Sequence, residues 1–158
     1  MSERVPTPEQ RLEELGFQLP PLADAVGTYV GAVRVDNLLF VSGHGPVENG
    51  EYIFKGKLGR DMEIEEAQAA ARLVALNMLA TIKAQLGDLG RVRRIVKLLC
   101  FVNSAPDFHD QPLVANGASD FLVDVFGQER GPHGRSAVGM SALPFGIAVE
   151  IEGVFEVE

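Results

Sequence analysis

Arg135 and Glu150 stand fifteen residues apart, within Gly134-Arg135-Ser136-Ala137-Val138 and Val149-Glu150-Ile151-Glu152, with Leu143-Pro144 between them. The two segments read as neighbouring strands of one hairpin. An arginine can hold a substrate carboxylate through two parallel hydrogen bonds. A glutamate can orient or deprotonate a water. Together they suit a small active site for an acidic substrate. Each residue also has a plainer reading. Arg135 would serve as a surface arginine or a structural ion-pair partner, and Glu150 as an ordinary solvent-facing strand residue. Gly131 and Gly134, beside Arg135, favour the anion-clamp reading by leaving room for a ligand.

Other residues join the list on weaker grounds. Tyr29 offers a hydroxyl on an aromatic that could equally be packing. Ser42 and Gly43 end a strand, where a hydroxyl and a free N–H can meet a ligand, although Ser-Gly also suits a turn. Asn116 falls in a helix and could simply be exposed. His44, His109 and His133 show no metal-ligand spacing, one cysteine makes no zinc pattern, and no acidic loop resembles a calcium site. The expectation from the residues is therefore no metal site. Gly43-His44-Gly45 is not followed by the Lys-Ser/Thr of a phosphate loop, and there is no Gly-x-Ser-x-Gly elbow. Cys100 lies mid-strand in an apolar run and reads as a buried, inert thiol.

The elements that must position these groups are legible in outline. Thr7-Pro8-Glu9-Gln10 opens a short helix with a capping box, ended by Gly16 and followed by an extended Leu19-Pro20-Pro21-Leu22 connector. Residues 1–25 thus read as an N-terminal helix and connector ahead of a domain at 26–158. Val26 to Val35 and Leu38 to Ser42 are strand-like runs joined at Asp36-Asn37. Glu48-Asn49-Gly50-Glu51 is a further turn, with a short strand at Tyr52 to Phe54. Ala67, Ala71, Val74, Met78, Ile82 and Leu86 recur at helical spacing within Glu63 to Leu86. Val92 to Asn103 is an apolar strand, and Ser104-Ala105-Pro106-Asp107 opens a second helix that runs to about Phe126. Arg135 to Ala142 and Ile147 to Val157 are the last strands. In the final strand Ile147, Val149, Ile151, Phe155 and Val157 alternate with Glu150, Glu152 and Glu156. Glu150 therefore points away from the helix-packed core. Runs of strands interleaved with two long helices imply an α+β two-layer sandwich, a mixed sheet with both helices on one face. The uncovered face, assigned Ala137 and Gly139, invites self-association.

The 158-residue length fits one domain, and the composition is that of a soluble globular protein. No apolar run spans a membrane, and the N-terminus lacks a signal-peptide pattern, so no membrane partner and a cytoplasmic location are expected. The net charge of −8 disfavours nucleic acid as a partner. The one basic cluster, Arg91, Arg93, Arg94 and Lys97, reads as a solvated strand edge.

The ordered set of these segments resembles the RidA (YjgF) family of reactive-intermediate deaminases, also called endoribonuclease L-PSP-like. The resemblance rests on Gly27-Thr28-Tyr29, Asn37 to Gly43, the long helix ending at Leu86-Gly87, Val96 to Asn103, Asp107-Phe108, Asn116, Arg135 to Val138, Leu143-Pro144 and Val149 to Glu152. It covers roughly Val26 to Val157. It implies a chorismate-mutase-like fold, three subunits closing their sheets into a barrel, and clefts between subunits. It implies hydrolysis of enamine and imine intermediates of the 2-aminoacrylate type to a 2-keto acid and ammonia, without metal or organic cofactor. By position, Arg135 would bind the substrate carboxylate and Glu150 would position water. Tyr29, Ser42, Gly43, His44, Asn116 and Ala137 would line the cleft around a small imino or keto acid. The alternatives are a non-catalytic small-molecule-binding or protein-interacting trimer and, less favoured, an endoribonuclease. The sequence departs from the family at His44, where Gln or a similar residue is usual, and at Ala137, where cysteine is frequent. Its second helix and the following loop are longer, and the N-terminal helix and Pro20-Pro21 connector are additions. These departures mark a divergent branch.

Overall fold

The structure, a computed structural model, describes residues 4–158. Helix α1 (Pro8–Glu14) carries the expected capping box, with the Thr7 hydroxyl accepting from the Gln10 N–H and the Gln10 side chain accepting from the Thr7 N–H. Leu12 sinks into the core, and the Glu9 carboxylate accepts the Leu89 N–H at 2.8 Å, so α1 is docked against the rest of the chain.

The order continues as β1 (Ala32–Val35), β2 (Leu38–His44), β3 (Val47–Glu48), β4 (Glu51–Tyr52), α2 (Ile64–Leu86), β5 (Val92–Asn103), α3 (Gln111–Arg130), β6 (Gly134–Met140) and β7 (Val149–Val157). Five strands form one mixed sheet in the order β1-β2-β7-β5-β6, with β5 and β6 parallel and the other pairs antiparallel; β3 and β4 make a separate small hairpin. Helices α2 and α3 lie together on one face. This is the α+β two-layer sandwich expected from the sequence.

The apolar face of α2 is buried as its spacing predicts, and Ala70, Ala75 and Leu79 are buried too because α2 is wedged between the sheet and α3. The helices approach closely at Gly117, where a Cβ would stand 2.2 Å from the Gln68 carbonyl oxygen. From the sheet, Leu39, Val41, Ile95, Leu98, Cys100, Val102, Val149, Ile151 and Phe155 complete this core. Burial pushes the Cys100 thiol up to about 11, in keeping with an inert side chain.

Four expectations need correction. The first strand starts at Ala32 instead of Val26, because Gly27 has φ 136° and the chain up to Gly31 is irregular. The second long helix starts at Gln111. Ser104 and Ala105 instead give their N–H groups to Met140 and Leu58 carbonyls, and Pro112 occupies the first helical turn. Its regular run does break at Gly127, where φ is 80°. The Arg135 and Glu150 strands are not neighbours: β5 lies between β6 and β7, pairing with both. Finally, Ala137 and Gly139 are not on the uncovered face. They pair in register with buried Cys100 and Val102 and so share the helix-packed side. The uncovered face instead presents Val33, Phe40, Leu99, Phe101, Val138, Glu152 and Val154.

Candidate functional site

Glu150 is fixed by strand alternation and register. It sits opposite Phe101 of β5, on the face away from the helices. Its carboxylate packs against Gly43, where a Cβ would stand 3.1 Å from the carboxyl carbon and 3.2 Å from Oε2. Only a residue without a side chain lets β2 approach the carboxylate this closely. Burial, and to a lesser extent the like charge of Glu152, raises the Glu150 carboxyl above the usual carboxylate range.

Ser42 and Gly43 form a β-bulge. Val41 pairs with Gly153 and His44 with Ile151, so three steps along β2 match two along β7. The extra residue turns the following side chain to the other face. His44 consequently points toward the helices, where Nε2 lies 2.8 Å from the Thr81 hydroxyl and Nδ1 lies 2.6 Å from the Ser42 carbonyl. A carbonyl only accepts, so Nδ1 carries the proton and Nε2 accepts from Thr81. Burial lowers the His44 pKa below 6.5 and favours this neutral form. The Ser42 hydroxyl donates to the Val30 carbonyl at 2.6 Å, tying the segment that carries Tyr29 to the bulge.

Tyr29, Ser42, Gly43, Tyr52, Phe145 and Glu150 surround a cleft of about 580 Å³. His44 lines a second cavity, of about 300 Å³, between α2 and the 22–31 segment. This cavity shares Tyr29, Gly43, Gly45 and Tyr52 with the first. Tyr52 stacks on Phe145, with ring centroids 4.6 Å apart and planes at 16°. Burial, then the nearby Tyr29 and Glu150, raises the Tyr52 hydroxyl pKa.

Arg135 is built differently. It pairs with Leu98 in the β5–β6 register and therefore lies on the helix-packed face, at the sheet edge. Nη1 donates to Asn116 Oδ1 at 2.8 Å and Ser119 Oγ at 3.1 Å, and Nη2 donates to the Pro112 carbonyl at 3.3 Å. All three acceptors are on α3 and all are neutral. Among the described residues the ion pairs are Arg60–Asp61, Lys83–Glu9 and Arg93–Glu158, so Arg135 has no carboxylate partner. Behind it, Ser119 Oγ is 3.0 Å from His133 Nε2, and His133 Nδ1 is 2.7 Å from the Gly131 carbonyl. The carbonyl fixes the tautomer, so Ser119 donates to His133 and keeps its lone pairs for Arg135. Gly131 offers no ligand space, because a Cβ there would meet the Gly127 oxygen and Val123 Cα at 2.7 Å.

Within one chain, then, Asn116 gathers with Arg135, while Tyr29, Ser42 and Gly43 gather with Glu150. Ala137 packs against the core below Arg135, and His44 is turned aside by the bulge. Sequence reasoning missed Ser119, His133, Tyr52 and Phe145. Ser119 follows Asn116 by three residues and shares its helical face, which was the available signal; Tyr52 and Phe145 had none. Among the described residues no three His, Cys, Asp or Glu side chains converge as metal ligands, and no helix is long and apolar enough to cross a membrane.

Comparison with known proteins gives a consistent picture. Residues 9–150 match the family described as "YjgF/chorismate_mutase-like, putative endoribonuclease". Protein TCP17 of Trypanosoma cruzi is 47% identical over 145 residues, covering 92% of this chain and 91% of that protein. The crystal structure of Atu1372, a protein of unknown function from Agrobacterium tumefaciens, is 47% identical with a TM-score of 0.89, over 96% of this chain and 92% of that one. A putative endoribonuclease from Shewanella oneidensis MR-1 superposes with a TM-score of 0.92 at 33% identity, over 96% of this chain and 100% of that one.

Proposed function

The chain belongs to the YjgF/chorismate mutase-like family, and from that premise we propose that it hydrolyses reactive 2-imino and enamino acids to 2-keto acids and ammonia. The observation that carries this reading is Arg135: a guanidinium held by three neutral oxygens, with no acidic partner among the described residues. A structural arginine is ordinarily neutralised by a carboxylate. This one keeps its charge available for a carboxylate brought by a ligand.

Glu150 supplies the complementary chemistry. Water adds its oxygen to the electrophilic imine carbon and gives a proton to the Glu150 carboxylate. Glu150 passes that proton to the nitrogen, giving a neutral carbinolamine. The carbinolamine hydroxyl proton then moves through Glu150 to the nitrogen as the C–N bond breaks, so that ammonia leaves and the carbonyl forms. A carboxyl raised by burial is a stronger base than a solvated one and is suited to passing that proton in both directions.

Arg135 and Glu150 occupy opposite faces of one sheet. A site using both therefore draws them from two copies, Arg135 of one and Glu150 of the next. A homotrimer, the assembly implied by the family resemblance, provides this arrangement three times. The acidic net charge of −8 disfavours the endoribonuclease reading.

The test is ammonia release from 2-iminopropionate generated in situ, above the uncatalysed rate. At substrate concentrations well below KM, Arg135→Ala and Glu150→Gln should each retain on the order of a hundredth of the wild-type rate when alone. After co-refolding in equal amounts, about a quarter of the inter-subunit sites in a mixed ring hold both intact residues, and that share of activity should return. No wild-type turnover sinks the deaminase reading. Turnover without recovery on mixing sinks the shared site.

A further inference from the structure

The cleft at Glu150 is much larger than a three-carbon acid needs. Its 580 Å³ falls in the range, about 300–1,000 Å³, of pockets that hold far larger ligands. Its wall is aromatic. The stacked Tyr52 and Phe145 rings stand on one side, and Tyr29, Val26 and Phe101 extend the apolar surface. All belong to the chain that supplies Glu150, so they flank the reacting carbon whichever copy brings Arg135.

Phe145 carries a second indication. It is 52% exposed, and its φ of 59° lies in the left-handed region that bulky L-residues rarely adopt. Hydrogen bonds hold that turn in place: the Gly56 N–H donates to the Gly146 carbonyl, and the Ala148 N–H to the Phe54 carbonyl, each at 2.9 Å. An exposed aromatic ring in an unfavourable backbone conformation contributes little to folding, and such strain concentrates at ligand-binding positions. The charged side chains lining this cleft are Glu150 and Glu152. They repel anionic groups, so a substrate enters with its carboxylate directed outward to a cation and its side chain against the rings.

We propose, resting on the deaminase reading above, that the preferred substrates are 2-imino acids with aromatic or long apolar side chains, received by the Tyr52–Phe145 stack. Acidic side chains are excluded by Glu150 and Glu152.

The experiment pairs binding with turnover. Calorimetric titration with the stable 2-keto acids phenylpyruvate, pyruvate and 2-oxoglutarate should show phenylpyruvate binding about tenfold or more tighter than pyruvate, with 2-oxoglutarate weakest. In situ generated imines of phenylalanine and alanine should show the same order in kcat/KM. Phe145→Asn and Phe145→Gly both remove the ring while suiting the left-handed backbone, and either should bring the two keto acids toward parity. Pyruvate binding as tightly as phenylpyruvate overturns the inference, as does a phenylpyruvate preference untouched by both substitutions. A Phe145-dependent preference without hydrolysis upholds the subsite and removes the deaminase reading. Hydrolysis without preference does the reverse.

Discussion

The surroundings of Arg135 and Glu150 differ in almost every respect. Arg135 sits at a sheet edge on the helix-packed face, held by neutral acceptors of α3, with its charge left free. Glu150 sits in an interior strand on the open face, against a glycine bulge and aromatic rings, with its charge made costly by burial. One environment preserves a cation for an anionic ligand. The other raises a carboxyl above its usual range, as the proposed proton transfer requires. The two residues lie on opposite faces of one sheet, so the proposed reaction, which uses both, draws on a second copy.

The largest test of this contrast is at Glu150. Glu150→Gln keeps the shape but not the base, and kcat should fall on the order of a hundredfold or more. The same variant carries a stability signature of opposite sign. A carboxyl raised in the folded state binds more protons there than in the unfolded chain, so its contribution to stability falls as pH rises through that window. Glu150→Gln should therefore have a higher Tm than wild type at pH 7, with the advantage shrinking as pH falls through the raised folded-state pKa and gone once pH is below the usual carboxylate range. Loss of activity with an unchanged or lower Tm would mean that Glu150 is not strained by its site.

Arg135→Ala should lower kcat/KM about a hundredfold, mostly through KM, since it removes charged hydrogen bonds to the substrate carboxylate. Arg135→Lys should recover part of this but lack the fork. An equal loss with an uncharged substrate analogue would break the clamp assignment. Gly43→Ala should follow, with roughly a tenfold loss in kcat, because the added Cβ pushes the carboxylate by a few tenths of an ångström.

Smaller effects separate the supporting groups. Ser119→Ala removes one acceptor from Arg135 and its link to His133, and KM should rise a few-fold with kcat nearly unchanged. His44 should act on stability and not on the reaction. Its pKa is lowered in the folded state, so below about pH 6.5 the unfolded chain binds more protons and stability declines as pH falls. His44→Gln should flatten that decline in a Tm-versus-pH series while leaving the pH profile of kcat in place. A shifted kcat profile would move His44 back into the site.

Much of the fold was legible because it depends on local patterns. The α2 periodicity, the β7 alternation and the Thr7 capping box each express a repeat or a short-range hydrogen bond. The second helix was misread at its start because Ser104 and Ala105 bond to distant Met140 and Leu58, partners that no local pattern announces. Glu150's face was readable from alternation. Arg135's was not, because β6 pairs in parallel with β5 after a long crossover instead of turning back on β7. His44 escaped for a related reason: a bulge at Ser42–Gly43 inverts the alternation that its neighbours obey.

The sequence by itself determined the inventory: an arginine, a glutamate on an alternating strand, a Ser-Gly strand end, two long helices and an α+β order. These follow from residue chemistry and local periodicity. Tertiary structure decided which groups share a space. Strand order put β5 between the strands of Arg135 and Glu150, the bulge sent His44 toward α2, and packing of segments far apart in the chain brought Tyr52 and Phe145 together beside Glu150. Those outcomes depend on pairings between residues far apart in the chain, whose energies are settled only when the whole sheet and its helices pack.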